Sequence, residues 1–460
     1  MKYEAIAEGT NRRPAAGEGD VRRPGHGAPG AGHGASGWRR WVEPWYGAYA
    51  LVGLVLLGVG PILIPLQADP RGPTAVGLVV AAFYVGALFT PLVGAYADWT
   101  GRQKSLFLAC FPIMSVSIVA FAYAHSTWLW AALAAVFGGA GAAAGTIGGM
   151  FVVEGHPKPE WNERISWFRL AYGVGQVVGL VIAAFTATRL LAGWWITAVV
   201  IVLGVGIGRV GVPGLRPAPC AAERLAPESS ARPIGGISWA LHAFHRPRAV
   251  DVRAVVRTPY GLFLLTWLLT MVGVQTFFDV VPLVMRDAFA VKPSVTSILF
   301  MIGAAIGVGV YPTAAKLADR SGAGRVMALG MIISIVSFGA MALASWLDPS
   351  WKAAVGAVGL VSAATAYSFE VVGATMLTAR LTPISQGSAM GLLNSAIAAG
   401  AIVGAIVPSF VAEAFGYDSL PLMAAAVLAC ALVLGSRLLL SGKAVPSRGS
   451  GTSADGKRAA

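Results

Sequence analysis

An all-α membrane protein, with twelve transmembrane helices in two six-helix bundles, is the architecture expected of this 460-residue chain. Three observations carry that expectation. Apolar residues make up 56% of the sequence and charged residues only 12%, about half the roughly 25% charge of a soluble domain. The apolar residues fall in runs of about twenty, the length that crosses a hydrocarbon core. The cations then concentrate on one side of the resulting topology. Composition excludes a large soluble enzyme, a disordered chain, a disulfide scaffold and a coiled coil.

Residues 1–44 precede the first run. They carry Arg12, Arg13, Arg22, Arg23, Arg39 and Arg40 among Gly, Pro and Ala, and no apolar stretch follows Met1. They read as a disordered basic cytosolic tail that helps orient the first span, not as a cleaved signal. Such a tail also suits anionic lipid headgroups. Spans at 45–66, 75–96, 105–124, 128–153, 164–187 and 190–209 build the first bundle, 45–209, each closed by a short polar break. The stretch 210–257, rich in Pro, Arg and Ser, reads as a cytosolic linker, within which 237–244 suits a short interfacial helix. Spans at 258–282, 294–317, 325–346, 352–377, 387–411 and 420–441 build the second bundle, 258–441. Residues 442–460 form a second disordered cytosolic tail.

With both termini in the cytosol, 29 of the 34 Lys and Arg lie on that side, including Lys158, Arg164 and Arg169 around the start of span 5. Arg71, Arg189, Arg286, Lys292 and Lys352 lie on the other. A multi-pass protein of the cell (inner) membrane follows. The net charge of +13 therefore reports topology, and no nucleic-acid partner is expected. Cys110, Cys220 and Cys430 are scattered, and His26, His33, His125, His156, His242 and His245 all lie in the tail or loops. No metal or other cofactor is expected, and no nucleophile–base cluster suggests an enzyme. The phosphate-binding Gly-x-x-x-x-Gly-Lys-Ser/Thr sequence is missing, so ATP is not the energy source within this chain.

Two loops repeat. Gly94-Ala-Tyr-Ala-Asp98-Trp-Thr-Gly101-Arg102-Gln-Lys104 joins spans 2 and 3, and Ala315-Lys-Leu-Ala-Asp319-Arg320-Ser-Gly322-Ala-Gly-Arg325 joins spans 8 and 9. The shared pattern is small-x-x-x-Asp-x-x-Gly at the same place in each half, the mark of a parallel repeat about an axis along the membrane normal. Gly94 permits close helix approach, Gly101 a tight turn, and Asp98 suits a cation or a helix N-terminus. Arg102 and Lys104 hold the loop in the cytosol.

These loops resemble the signature of the major facilitator superfamily of secondary transporters, and the likeness extends over roughly 45–441. The resemblance implies that Asp98 contacts the start of span 11 near Gly387, and that Arg102 pairs with Glu154 at the inner end of span 4. Together with Asp319, Arg320 and Gly322 they would latch the outward-facing state. Trp99 stands where the family has a basic residue. In span 5, Gly173, Gly175 and Gly179 resemble the drug/proton antiporter branch, with Gln176 in place of its proline; helix packing also explains such glycines. That branch's span-4 arginine is absent before Gly139-Ala-Gly141. The sugar branch's sequences are replaced by Val212-Pro213-Gly214 and Gln275-Thr276.

Ionisable groups inside a bilayer are costly and mark function. Glu370 in span 10 is the expected proton-coupling carboxylate. Asp279 in span 7 is the next choice, or a headgroup contact. The resemblance makes spans 1, 4, 7 and 10 line the cavity, which gives Tyr46, Tyr49, Gln275, Phe278 and Tyr367 as substrate contacts; Asn394 of span 11 joins them, or pairs with Glu370. Aromatic walls with acids suit amphiphilic or cationic organic molecules. Trp45, Trp128, Trp130, Trp194, Trp195 and Trp351 lie near span ends as interfacial anchors. The expectation is a monomeric secondary transporter in the lipid bilayer, exporting a drug-like or secondary metabolite in exchange for protons. Uptake or facilitated diffusion of a small organic metabolite is the alternative, and a non-transporting membrane receptor the reading from another class.

Overall fold

The computed structural model describes residues 41–90, 93, 96–97, 100–154, 160–212, 258–344, 349–383 and 386–440. Residues 1–40 of the first tail and all of the second lie outside these, as do Gly94, Asp98, Trp99, most of the linker with its 237–244 segment, and His156, His242 and His245. Twelve long helices follow in order: α1 Tyr46–Arg71, α2 Pro73–Leu88, α3 Gln103–Tyr123, α4 Thr127–Glu154, α5 Trp161–Thr186, α6 Leu190–Gly211, α7 Pro259–Phe278, α8 Pro293–Ser321, α9 Ala323–Leu343, α10 Pro349–Leu381, α11 Gln386–Phe415 and α12 Leu420–Leu440. Eleven are long and apolar enough to cross a membrane, and α2 is a shorter apolar helix over its described 16 residues. Lengths differ widely, up to 33 residues in α10. The face where α1 begins and α12 ends is here the near face, and the opposite one the far face.

Most of these helices are apolar on all sides, which is why they seek lipid. Val116, Trp128, Phe185, Val210, Val358 and Val433 are each more than two-thirds exposed, an apolar girdle unsuited to water. Proline opens α2, α7 and α8, where its missing N–H costs nothing. Thr258 caps α7 by accepting from the Gly261 N–H at 3.2 Å. The repeated loops turn through Gly101 (φ 62°) and Gly322 (φ 98°), left-handed positions that favour glycine.

Helix α2 packs on α4, α3 on α4 and α6, and α5 on α1; likewise α8 packs on α10, α9 on α10 and α12, and α7 on α11. The bundles meet along two seams, α2 with α11 and α5 with α8, and each seam is the repeat-equivalent of the other. Gly77 of α2 lies against Ala405 and Ser409, and Gly173 of α5 faces Val308, so small residues let the bundles approach. Gly175 and Gly179 instead press on the α1 backbone at Ala50 and Leu54, where α1 carries a π-helical turn, Leu54–Val59.

Two expectations are corrected. The run 258–282 is not one helix: α7 stops at Phe278, and the chain resumes as a short helix, Val281–Asp287. The ring of Pro282 would clash with the Phe278 carbonyl and has no N–H to offer it. Three tryptophans are buried rather than interfacial. Trp45 sits edge-on to Phe107 and Phe151, Trp194 donates its indole N–H to Gln67 at 3.3 Å, and Trp130 is only 5% exposed. Trp128, Trp195 and Trp351 are exposed.

Candidate functional site

Polar contacts bind the two bundles toward the far face. Arg286, on the short helix, reaches Asp69 of α1 at 2.6 Å and its neighbour Asp287 at 2.6 Å. Hydrogen bonds donated to Asp287 first, then to Asp69, hold this guanidinium charged more firmly than a free arginine. The Thr74 hydroxyl of α2 donates to Glu413 of α11.

One layer deeper lies Asp279. The break in α7 places it beside α2, where the Tyr84 hydroxyl donates to its Oδ1 at 2.8 Å. The Gln275 amide, one turn back, donates to the same oxygen at 3.0 Å and to Tyr84 at 3.0 Å. Asp279 is 2% exposed, and its Oδ2 has no partner among the described residues. It is a buried contact between bundles rather than a headgroup contact.

Glu370 occupies a different setting. It is fully buried, its Oε1 accepts from Ser334 of α9 at 2.7 Å, and its Oε2 has no partner among the described residues. Gly330 of α9 leaves the space its side chain fills. The carboxyl therefore points into the second bundle, away from the first. Asn394 is exposed on α11 and makes no hydrogen bond to Glu370.

The aromatic residues divide in the same way. Tyr46 (2% exposed) packs edge-on against Trp45 at 4.8 Å. Phe278 packs among Phe277, Phe300 and Phe338 at 5.2–6.3 Å. Both are buried in bundle cores. Tyr49 stacks on Phe168 at 3.6 Å and on Tyr172 at 5.0 Å. Tyr367 is partly exposed.

A cation joins this group that the sequence reading left among loop charges. Arg169 lies eight residues into α5 and is exposed, about 12 Å along the helix. Gly173, one turn further along the same face of α5, meets Val308 of α8, so Arg169 lies on the seam between the bundles, and its charge acts on tyrosines of both. The signal was available, since the expected span 164–187 encloses it. Arg164 is buried instead, paired with Glu43 at 2.7 Å and Glu160 at 3.0 Å, and ties α5 to the start of α1.

Of the expected latch, Gly94 and Asp98 lie outside the described residues, as does the side chain of Glu154. Arg102 is exposed at the start of α3, and Gly387 lies in the first turn of α11. The Lys104 ammonium donates to the carbonyls of Arg209 (3.3 Å) and Val212 (2.9 Å), capping the end of α6. In the second half, Asp319 pairs with Arg380 of its own bundle at 3.7 Å, and Arg320 is exposed.

The profile of the Major Facilitator Superfamily matches residues 45–382. Among solved structures, a mutant of the nucleoside transporter NupG is 15% identical, with a TM-score of 0.67 over 85% of this chain and 98% of that one. A bacterial homologue of the human lysosomal transporter Spinster, inward-facing and unoccupied, is 14% identical, with a TM-score of 0.63 over 90% and 100%. A D-xylose-proton symporter is 13% identical, with a TM-score of 0.63 over 85% and 96%. At these identities the likeness speaks for the fold. No curated protein sequence matches significantly.

Proposed function

The chain belongs to the major facilitator superfamily, a multi-pass membrane transporter and not an enzyme, and on that premise we propose that it is a proton-coupled exporter of a small organic molecule. It works as a monomer by rocker-switch alternating access, with its near face in the cytosol of a cell (inner) membrane. The observation that carries the reading is Asp279, a buried carboxyl whose one oxygen joins the bundles through Tyr84 while the other is unpartnered.

Separating α2 from α7 on the far side would break the Tyr84–Asp279 hydrogen bond and hydrate the carboxyl. Protonation there removes a charge that would otherwise be buried when the bundles close again. The gradient thus drives the return, and substrate released on the far side is exchanged for a proton that Asp279 gives up toward the near side, after which Tyr84 and Gln275 again donate to an ionised carboxylate. Glu370 bonds within one bundle, so the same motion leaves its partner in place.

The test uses inverted vesicles, an imposed pH gradient and a panel of aromatic amphiphiles of either charge. Asp279→Asn should abolish gradient-driven accumulation while leaving substrate exchange intact, and Glu370→Gln should retain both. The opposite pattern would move coupling to Glu370. Accumulation only under the reverse gradient would make the protein an uptake system.

A further inference from the structure

We infer that Arg169 and the tyrosines around it form a subsite for an aromatic carboxylate, which makes the transported molecule an organic anion rather than a cation. This rests on the transport reading and deepens it.

An arginine inside a membrane span is costly unless it meets an anion, a carbonyl or water. Among the described residues no carboxylate lies within ion-pair distance of Arg169, and its guanidinium remains exposed. The acids nearest in role are turned elsewhere. Glu370 is committed to Ser334, and Asp279 to Tyr84 and Gln275. A cationic substrate would therefore meet a cation here and find no acid.

The surroundings suit an anion with a ring. Phe168, Tyr49 and Tyr172 form a stacked series, with rings 3.6 and 5.0 Å apart; Phe168 and Tyr49 are buried, and Tyr172, partly exposed at the end of the series, is the ring against which another can lie. On the second bundle Tyr311 lies one turn from Val308, which meets Gly173 across the seam, and Tyr367 of α10 is partly exposed; both feel the Arg169 charge, and their hydroxyls can donate to an anion. The planar fork of a guanidinium matches a carboxylate with two parallel hydrogen bonds. The groups come from α1, α5, α8 and α10 of both bundles. A bound anion would therefore bridge the bundles, and its binding would differ between the two open states.

The test is equilibrium dialysis of the purified full chain in phosphatidylcholine nanodiscs, with 2-naphthoate, 2-naphthamide and 2-naphthylmethylammonium as probes. The naphthoate should bind about tenfold tighter than the amide, and the ammonium weakest. Arg169→Gln should remove the naphthoate preference, a loss of about tenfold, while amide binding stays unchanged and certifies the fold. Arg169→Lys should fall between, because it keeps the charge and loses the fork. The proposal is overturned if acid and amide bind alike, if no probe binds, or if Arg169→Gln weakens acid and amide equally. Binding is read without a gradient. Loss of anion preference therefore leaves proton coupling standing, and loss of coupling leaves the anion subsite standing.

Discussion

Glu370 and Asp279 each hold one buried carboxyl oxygen with a partner and one without, yet their surroundings give them different work. Among the described residues Ser334 is the single donor to Glu370. Ser334→Ala should therefore lower the stability of the solubilised protein by about 1–3 kcal/mol, the cost of stranding a buried polar group. Ser334→Ala combined with Glu370→Met should recover most of that in a thermal unfolding assay, because an apolar pair of similar shape leaves nothing unsatisfied. A double variant no more stable than Ser334→Ala would mean that Glu370 has a further partner. That an acid lies in span 10 is readable from sequence. Its direction is not, because a helix apolar on all sides gives no hint of which face meets its neighbour. Tyr46 and Phe278 escaped correct reading for the same reason, and both turned out to fill cores. Arg169 is readable as a span residue from run length, but its charge resembles that of the nearby cations Lys158 and Arg164, and the start of α5 at Trp161 is what sets it within the helix.

The break in α7 shows what a single residue type does to an element. Hydropathy averaged over 258–282 passes through Pro282 without a change, because the average registers side-chain transfer and not a missing N–H. The spans themselves follow from run length, and the repeat from two loops turning at Gly101 and Gly322. Pro282→Ala should let α7 continue into the segment Val281–Asp287 and swing Asp279 off Tyr84. Amide hydrogen exchange over 277–284 should slow as helical bonds form there, and gradient-driven transport should fall. Unchanged exchange would mean that the break is held by the Asp279 contacts and not by the proline. The glycines of α5 have their account at this scale too: Gly175 and Gly179 serve the approach to α1, a packing task any branch of the family requires.

Closure toward the far face rests on Arg286–Asp69, Thr74–Glu413 and Tyr84–Asp279 acting together. The Arg286–Asp69 pair is about one-third exposed on each side, so screening limits it to less than about 1 kcal/mol. Asp69→Asn should shift the population toward far-side opening by no more than about fivefold. Spin labels at Arg189 and Asp418, exposed on opposite bundles at the far face, would report the shift as a growing long-distance fraction, in a background where Cys220 and the exposed Cys430 are replaced. No change in that distribution would leave closure to the deeper Tyr84–Asp279 contact. Helix length bears on the near face in another way. At 33 residues, α10 is about 50 Å long, against a hydrocarbon thickness of about 30 Å. It must lean or overhang, and the Arg380–Asp319 pair at its end, half or more exposed on both sides, then sits among lipid headgroups. Anionic phosphates compete there for the guanidinium, so the strength of this ion pair depends on the leaflet composition as well as on the fold.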